Sequence, residues 1–356
     1  MAEETTKKAT TGFFSPLPWR RLGLLGGLCL LLAACAGPAE ETLLQGATMG
    51  TSYSVKLVDL PAEQDLQALQ TELERRLEQV NAAMSTYLPD SELSRFNQNP
   101  STDWVTASPK LLAVLQTAQE ISRLSDGAFD ISVGPLVNLW GFGPTASRGQ
   151  APSLDQIQAA RKRVGYQLLQ LRADPPALRK ARPDLYLDLS AIAKGYAVDL
   201  LAAYLNSQGL TNFLVEIGGE VWGRGHNRHG RPWRIAIEKP DPGSRSVHDI
   251  VELDGQGIAT SGDYRNFFEQ AGNRYSHSID PASGRPVQHA LASVTVLAPS
   301  VMRADALATA LLVLGPERGL ALAEQQGLAA LFIMREGEGF STRTTPEFER
   351  YRVQPT

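Results

Sequence analysis

The stretch Asp188-Leu-Ser-Ala-Ile-Ala-Lys-Gly-Tyr-Ala-Val-Asp199 decides how the rest of the chain is read. It follows the alternating run Leu185-Tyr186-Leu187 and precedes apolar residues at helical spacing (Ala197, Leu200, Leu201, Tyr204, Leu205), so it predicts strand, tight turn and helix. Ser190 stands where an N-cap belongs, and Lys194 falls in the first helical turn. Backbone N–H groups at a helix start, joined by a lysine, suit an anion and a phosphate above all.

Working outward, strands and helices mix without a regular βα alternation, which predicts a single α+β domain. Upstream, Ser52 to Val58 alternates as a half-buried strand, entered through Gly46-Ala-Thr-Met-Gly-Thr51, whose glycines suit either close approach to a ligand or a plain turn. Leu66, Leu69, Leu73, Leu77 and Val80 mark a helix within Ala62 to Ala83, with its apolar stripe assigned to the core. Ser108-Pro109 supplies an N-cap and a first-position proline for a helix ending near Gly127. Residues 127–135 and 139–144 are dense in glycine and aromatics and predict a shaped loop. Leu154 to Val164 predicts a short helix and Tyr166 to Leu171 a strand.

Downstream, strands are expected at Asn212 to Ile217, Trp233 to Glu238, Asp249 to Leu253, Arg274 to Ile279 and Leu291 to Leu297. A last strong helix, Ser300 to Leu314, is closed by Gly315-Pro316, and Leu328 to Met334 forms a final strand.

The chain has 356 residues, 43% hydrophobic and 20% charged, with a net charge of −4. That composition fits a globular protein and gives no basic surface for nucleic acid, which is set aside as a partner. The N-terminus departs from it. Arg20-Arg21 precede an apolar segment, Leu22 to Leu32, too short to span a bilayer comfortably, and Leu32-Ala33-Ala34-Cys35 resembles a bacterial lipobox. On that resemblance residues 1–34 are a lipoprotein signal, Cys35 is the lipidated residue, residues 35–45 are a tether, and residues 346–356 are a tail. Cys29 and Cys35 are the only cysteines, so cleavage would leave no disulfide and the fold must rest on its core.

Three places carry candidate chemistry. Asp305 and Thr309, at i and i+4, share a helix face and offer oxygen ligands suited to Mg²⁺. Equally, Asp305 can complement the helix dipole while Thr309 bonds back to the preceding turn. His277, alternating with Tyr275 and Ile279, is either a core histidine or a general base, and Asp280 before Pro281 shapes a turn. Tyr87 offers a ring for stacking or a cap on the core. A metal pair of His226 and His229 has no Cys, Asp or Glu partner at ligand spacing.

In order, Met49-Gly-Thr51, Met84-Ser-Thr-Tyr87, Gly127-Ala-Phe-Asp130 with Val133-Gly-Pro-Leu136, Asp188 to Asp199, Thr260-Ser-Gly-Asp-Tyr264, His277-Ser-Ile-Asp-Pro281 and Ala304-Asp-Ala-Leu-Ala-Thr309 resemble the ApbE family. Those proteins are FAD:protein FMN transferases, periplasmic lipoproteins in many Gram-negative bacteria, and the resemblance spans roughly residues 46 to 340. It implies a T-fold-related domain over residues 46–345, with mostly antiparallel sheets and flanking helices. It implies Mg²⁺-dependent cleavage of the FAD diphosphate, attachment of FMN to a threonine hydroxyl of an acceptor protein, and release of AMP. Periplasmic redox-complex subunits carrying a Thr-containing flavinylation motif are the implied acceptors. The metal ligands implied are Asp305, Thr309 and the Ala191 carbonyl. FAD contacts fall on Met49, Tyr87, Ala128, Phe129, Asp130, Asp188, Lys194 and Ile279, with His277 assisting the acceptor. Ser278 departs from the family's usual isoleucine, on a position expected to face away from His277. An FAD pyrophosphatase releasing FMN and AMP, or a non-catalytic FAD-binding lipoprotein, are the competing readings.

Overall fold

The computed structural model describes Met1 and residues 39–144, 150–241, 243 and 245–353. Contacts divide the chain into Met1–Ala39 and Glu40–Thr356, and the fold is that of the second unit. The signal segment with Cys29 and Cys35 lies outside the described residues.

In chain order the strands are β1 (Glu41–Thr48), β2 (Thr51–Val58), β3 (Val105–Thr106), β4 (Leu169–Arg172), β5 (Ala177–Lys180), β6 (Phe213–Ile217), β7 (Glu220–Arg224), β8 (Trp233–Glu238) and β9 (Val247–Leu253). They continue with β10 (Gln256–Gly262), β11 (Phe267–Gln270), β12 (Asn273–Ser276), β13 (Ile279–Asp280), β14 (Arg285–Pro286), β15 (Leu291–Ala298), β16 (Ala329–Glu336) and β17 (Gly339–Thr344). The helices are α1 (Leu66–Met84), α2 (Glu92–Gln98), α3 (Pro109–Leu124), α4 (Gly134–Leu139), α5 (Leu154–Arg161), α6 (Ala193–Ser207) and α7 (Val301–Gln325).

An eight-stranded sheet in the order β1-β2-β6-β7-β10-β15-β16-β17, antiparallel throughout, is the frame. It confirms the α+β expectation. The alternation in β2 puts Tyr53, Val55 and Leu57 in the core, whereas β15 is buried along nearly its whole length, as a strand covered on both faces must be. Helix α6 packs on β6 and β7, α7 on β10 and β15, and the two helices on each other. Their crossing is close: a Cβ on Gly195 would sit 2.5 Å from the Val301 carbonyl oxygen. Helix α7 breaks at Gly315 (φ 79°, ψ 179°), where the expected Gly-Pro stop falls.

Several expectations need correction. Leu185 to Leu187 pairs with no strand; the side-chain amide of Asn97 takes the ladder's place, donating to Leu187 O (2.9 Å) and accepting from Leu187 N–H (2.8 Å). Leu185, Leu187 and Leu189 are buried as their alternation predicts, but alternation records burial and not pairing. Ser190 is not the N-cap: α6 begins after Ile192, and the Ser190 hydroxyl donates to Asp188 Oδ1 (2.6 Å).

The expected tether overlaps the first half of β1, and the described part of the expected tail, residues 346–353, packs down, with Phe348 fully buried and Arg352 paired to Asp249 (2.6 Å). The shaped loop contains α4, and Tyr166 to Leu168 is a 3₁₀ turn before β4. The strand expected from Arg274 to Ile279 breaks between β12 and β13, so Ser278 lines the same cleft as His277 instead of facing away.

Candidate active site

A cleft of about 870 Å³ opens over the start of α6, the middle of α7 and the β6–β7 turn. Of the residues expected there, Tyr87, Ala128, Phe129, Asp130, Asp188, Ala191, Lys194, His277, Ile279, Asp305 and Thr309 all line it. Met49 does not. It occupies the two-residue turn of the β1–β2 hairpin with φ 49°, followed by Gly50 at φ 72°, and its side chain packs against the core. Cys35 lies outside the described residues.

The charged centre is assembled from three elements. The turn Gly218-Gly219 brings Glu220 to the head of β7, and Gly218 is held to glycine by Thr51, whose Cγ2 would lie 2.9 Å from a Cβ. Lys194, in the first turn of α6, forms an ion pair with Glu220. Asp305, buried on α7, accepts the Gly195 N–H at 3.2 Å. In a regular helix that N–H would seek the carbonyl of Ala191, which is thereby left without this partner. Thr309 Oγ1 lies 2.9 Å from Ser261 Oγ at the end of β10.

One ammonium therefore faces two buried carboxylates. Burial, with repulsion from Asp305, pushes Glu220 up to about 8 despite Lys194 beside it, and burial raises Asp305 too. Burial would lower Lys194, but Asp305 and Glu220 hold it above the usual lysine value. Glu220 Oε2 is buried without a partner. The centre is short of positive charge and rich in oxygen donors, which fits a hard divalent cation held by Asp305, Thr309 and the Ala191 carbonyl. Among the described residues no three His, Cys, Asp or Glu side chains cluster as a metal site, so the fit rests on one carboxylate with neutral oxygens.

His277 opens onto the cleft with its ring edge-on to Phe142 at 6.3 Å. Its Nδ1 lies 3.2 Å from the Asn266 carbonyl oxygen, which assigns the proton to Nδ1 and leaves Nε2 as the free base. Desolvation lowers its pKa, the Asn266 bond opposes that, and Lys194 adds to the lowering, so the ring is neutral at neutral pH. Of the two readings of this histidine, the core one is set aside.

Other expected residues build the walls. Asp130 is consumed internally, accepting from Ser132 N–H (2.7 Å), the Ser132 hydroxyl (2.6 Å) and Tyr166 N–H (2.8 Å), and so shapes its loop. Asp188 holds Ser190 through both N–H and hydroxyl. Tyr87, 64% exposed, caps no core and lines the cleft with its ring open to solvent. Asp280 accepts the N–H groups of Ala282 (3.0 Å) and Ser283 (3.1 Å), shaping its turn as expected.

Sequence reasoning passed over Glu220 and Ser261. The available signal for Glu220 was an acidic residue placed after Gly-Gly at the head of an otherwise apolar strand. Asp199, at the far end of the stretch that begins at Asp188, faces a neighbour, accepting from Val301 N–H (2.8 Å), Met302 N–H (3.0 Å) and the Ser300 hydroxyl (2.7 Å).

Comparison with known proteins identifies the family. The ApbE family model matches residues 49–332. The FAD:protein FMN transferase of Vibrio cholerae is 50% identical over 322 residues, covering 90% of this chain and 96% of that one. That of Salmonella typhimurium is 44% identical over 320 residues, covering 89% and 91%. The solved flavin transferase ApbE from Vibrio cholerae superposes with a TM-score of 0.83 at 49% identity, over 88% of this chain and all (100%) of that one. The apo form of the Pseudomonas stutzeri flavinyl transferase ApbE gives 0.82 at 44% identity, over 90% and 100%. With its fold, its motifs and nearly its whole length shared with these proteins, the chain belongs to the ApbE family.

Proposed function

We propose that this chain is an FAD:protein FMN transferase, cleaving the FAD diphosphate and attaching FMN to a threonine hydroxyl of an acceptor protein. The observation that carries the reading is the meeting of Asp305, Thr309, Lys194 and His277 in one cleft, beside relatives that bear this activity in their names.

The chain's own residues divide the work. Tyr87 and the 128–130 loop offer a wall for the flavin ring, and the Lys194 ammonium, which lines the same cleft, is the positive charge this reading assigns to the diphosphate. Nε2 of His277 takes the proton of the acceptor hydroxyl. The hydroxyl oxygen forms its bond to the FMN phosphorus as the bond from that phosphorus to the bridging oxygen breaks, and AMP leaves with the bridging oxygen. Asp305, Thr309 and the Ala191 carbonyl would hold Mg²⁺, which when bound supplies charge neutralisation at the diphosphate.

Purified protein incubated with FAD, Mg²⁺ and an acceptor bearing a Thr-containing segment will yield a covalently fluorescent acceptor band. AMP released at the same rate without acceptor would identify a pyrophosphatase instead. Binding of FAD with no turnover in either case would leave a carrier.

The lipobox-like Leu32 to Cys35 supports export and lipid anchoring at a membrane facing the periplasm. Incorporation of radiolabelled palmitate, lost in Cys35→Ser, is the expected result.

A further inference from the structure

The hairpin β8–β9 stands apart from the main sheet as a two-stranded sheet of its own. Its two outer edges differ. Along β9 the chain's own C-terminal segment is laid down: Glu252 N–H donates to Tyr351 O (2.9 Å) and Val353 N–H to Ile250 O (2.9 Å), bracketing a bridge between Val251 and Arg352. Backbone groups in a strand alternate sides, so Ile250 and Glu252 face that segment while Asp249, Val251 and Leu253 face β8. The register pairs Val251 with Ile235, Asp249 with Ile237 and Leu253 with Trp233. The N–H and C=O groups of Arg234 and Ala236 must therefore point away from β9.

Among the described residues nothing pairs with that side of β8. Arg234 and Ala236 are exposed, and residues 235–238 form a wall of the same cleft that holds Asp305, Thr309 and His277. An unpaired strand edge is a template for another strand, and proteins cover or blunt such edges unless they use them. A transferase acting on proteins must admit a segment of its acceptor to this cleft, and an extended segment beside β8 would turn alternate side chains toward the reacting groups.

We propose that the free edge of β8 is the docking strand for the acceptor, whose hydroxyl-bearing segment adds to it as an extended strand. The inference rests on the transferase reading above. Recognition through Arg234 and Ala236 is then mainly to backbone, which suits acceptors alike in a short segment and different elsewhere.

The test uses amide hydrogen exchange on the whole protein, alone, with FAD, and with FAD plus an acceptor domain bearing a Thr-containing segment. Acceptor, and not FAD alone, is expected to slow exchange at Arg234 and Ala236. In parallel Ala236→Pro removes one outward N–H, at an edge position where proline is tolerated. It is expected to raise the acceptor KM about fivefold or more, the cost of a lost backbone hydrogen bond and a blocked approach, with FAD affinity unchanged. Protection by FAD alone would assign the edge to the nucleotide and overturn the proposal. So would acceptor binding without protection, or a wild-type KM in Ala236→Pro. Should that variant not fold, as judged by circular dichroism, the exchange data on the unaltered protein decide. Protection by acceptor without FMN transfer would sink the transferase reading and leave the docking edge standing.

Discussion

At Glu220 the fold maintains an unfavourable charge arrangement. Its carboxyl is buried, one oxygen lacks a partner, and its pKa is pushed up to about 8, against 4.5 when free. A group held protonated in the fold but ionised in the unfolded chain stabilises the fold fully below about 4.5, and that contribution fades as pH rises through about 8. Metal-free protein should therefore lose thermal stability between those limits, and Glu220→Gln, which cannot ionise, should flatten that part of the Tm profile. Adding Mg²⁺ should flatten it as well, because a bound cation offsets the charge that the missing proton exposes. Asp305→Ala should leave FAD binding in place and cut transfer about 100-fold or more, the scale on which disturbed metal shells fail. For His277 the sign is opposite. Its pKa lies below the usual 6.5, so the neutral base persists into mildly acid solution, and kcat/KM should fall only below that value. In His277→Asn the limb should vanish and kcat should drop about 10²-fold or more.

Between elements, α6 and α7 hold each other by their ends. Asp199 of α6 caps the start of α7, and Asp305 of α7 takes an N–H at the start of α6, while Gly195 lets the backbones touch. This mutual arrangement fixes Asp305 beside Lys194. Gly195→Ala should cost about 1–3 kcal/mol by forcing the helices apart, measured by urea unfolding, and transfer should decline with it. Such pairing explains what the sequence could and could not disclose. Ser300, Ser108 and Gly315 were legible because caps and breaks act locally on the backbone. The partner of Asp199 lies about a hundred residues away (101 to Ser300), and no local pattern points to it. The missing ladder beside Leu187 failed for the same reason, since the amide that replaces it belongs to Asn97. Asp305, Thr309, Lys194 and His277 were recoverable from ordered motifs, while Glu220 emerged only when the β6–β7 turn was seen to place it against Lys194.

Over the whole molecule, stability must come from packing, because no cysteine follows Cys35. Reducing agent should leave the Tm of the chain from residue 40 onward unchanged. The core runs through the eight-stranded sheet and its helices, and the described part of the expected tail, residues 346–353, packs against β16 and β9. Phe348 is fully buried beside β16, Thr345 bonds Ala330 N–H (2.9 Å) and Leu328 O (2.6 Å), and residues 351–353 cover the outer edge of β9. A short run after the last strand reads as a tail when only its own polarity is weighed. Its one fully buried ring, Phe348, acquires meaning from the pocket that receives it. Phe348→Ala should accordingly destabilise the domain by about 3–5 kcal/mol, as loss of a buried aromatic ring does, seen as a lower urea midpoint with an unchanged slope. Because Arg352 and its neighbours brace the hairpin whose other edge walls the cleft, truncation after Thr345 should also loosen β9. Faster amide exchange at Glu252, whose N–H now reaches Tyr351, would register that loss, while unchanged exchange there would mean that the segment merely lies against the hairpin without holding it.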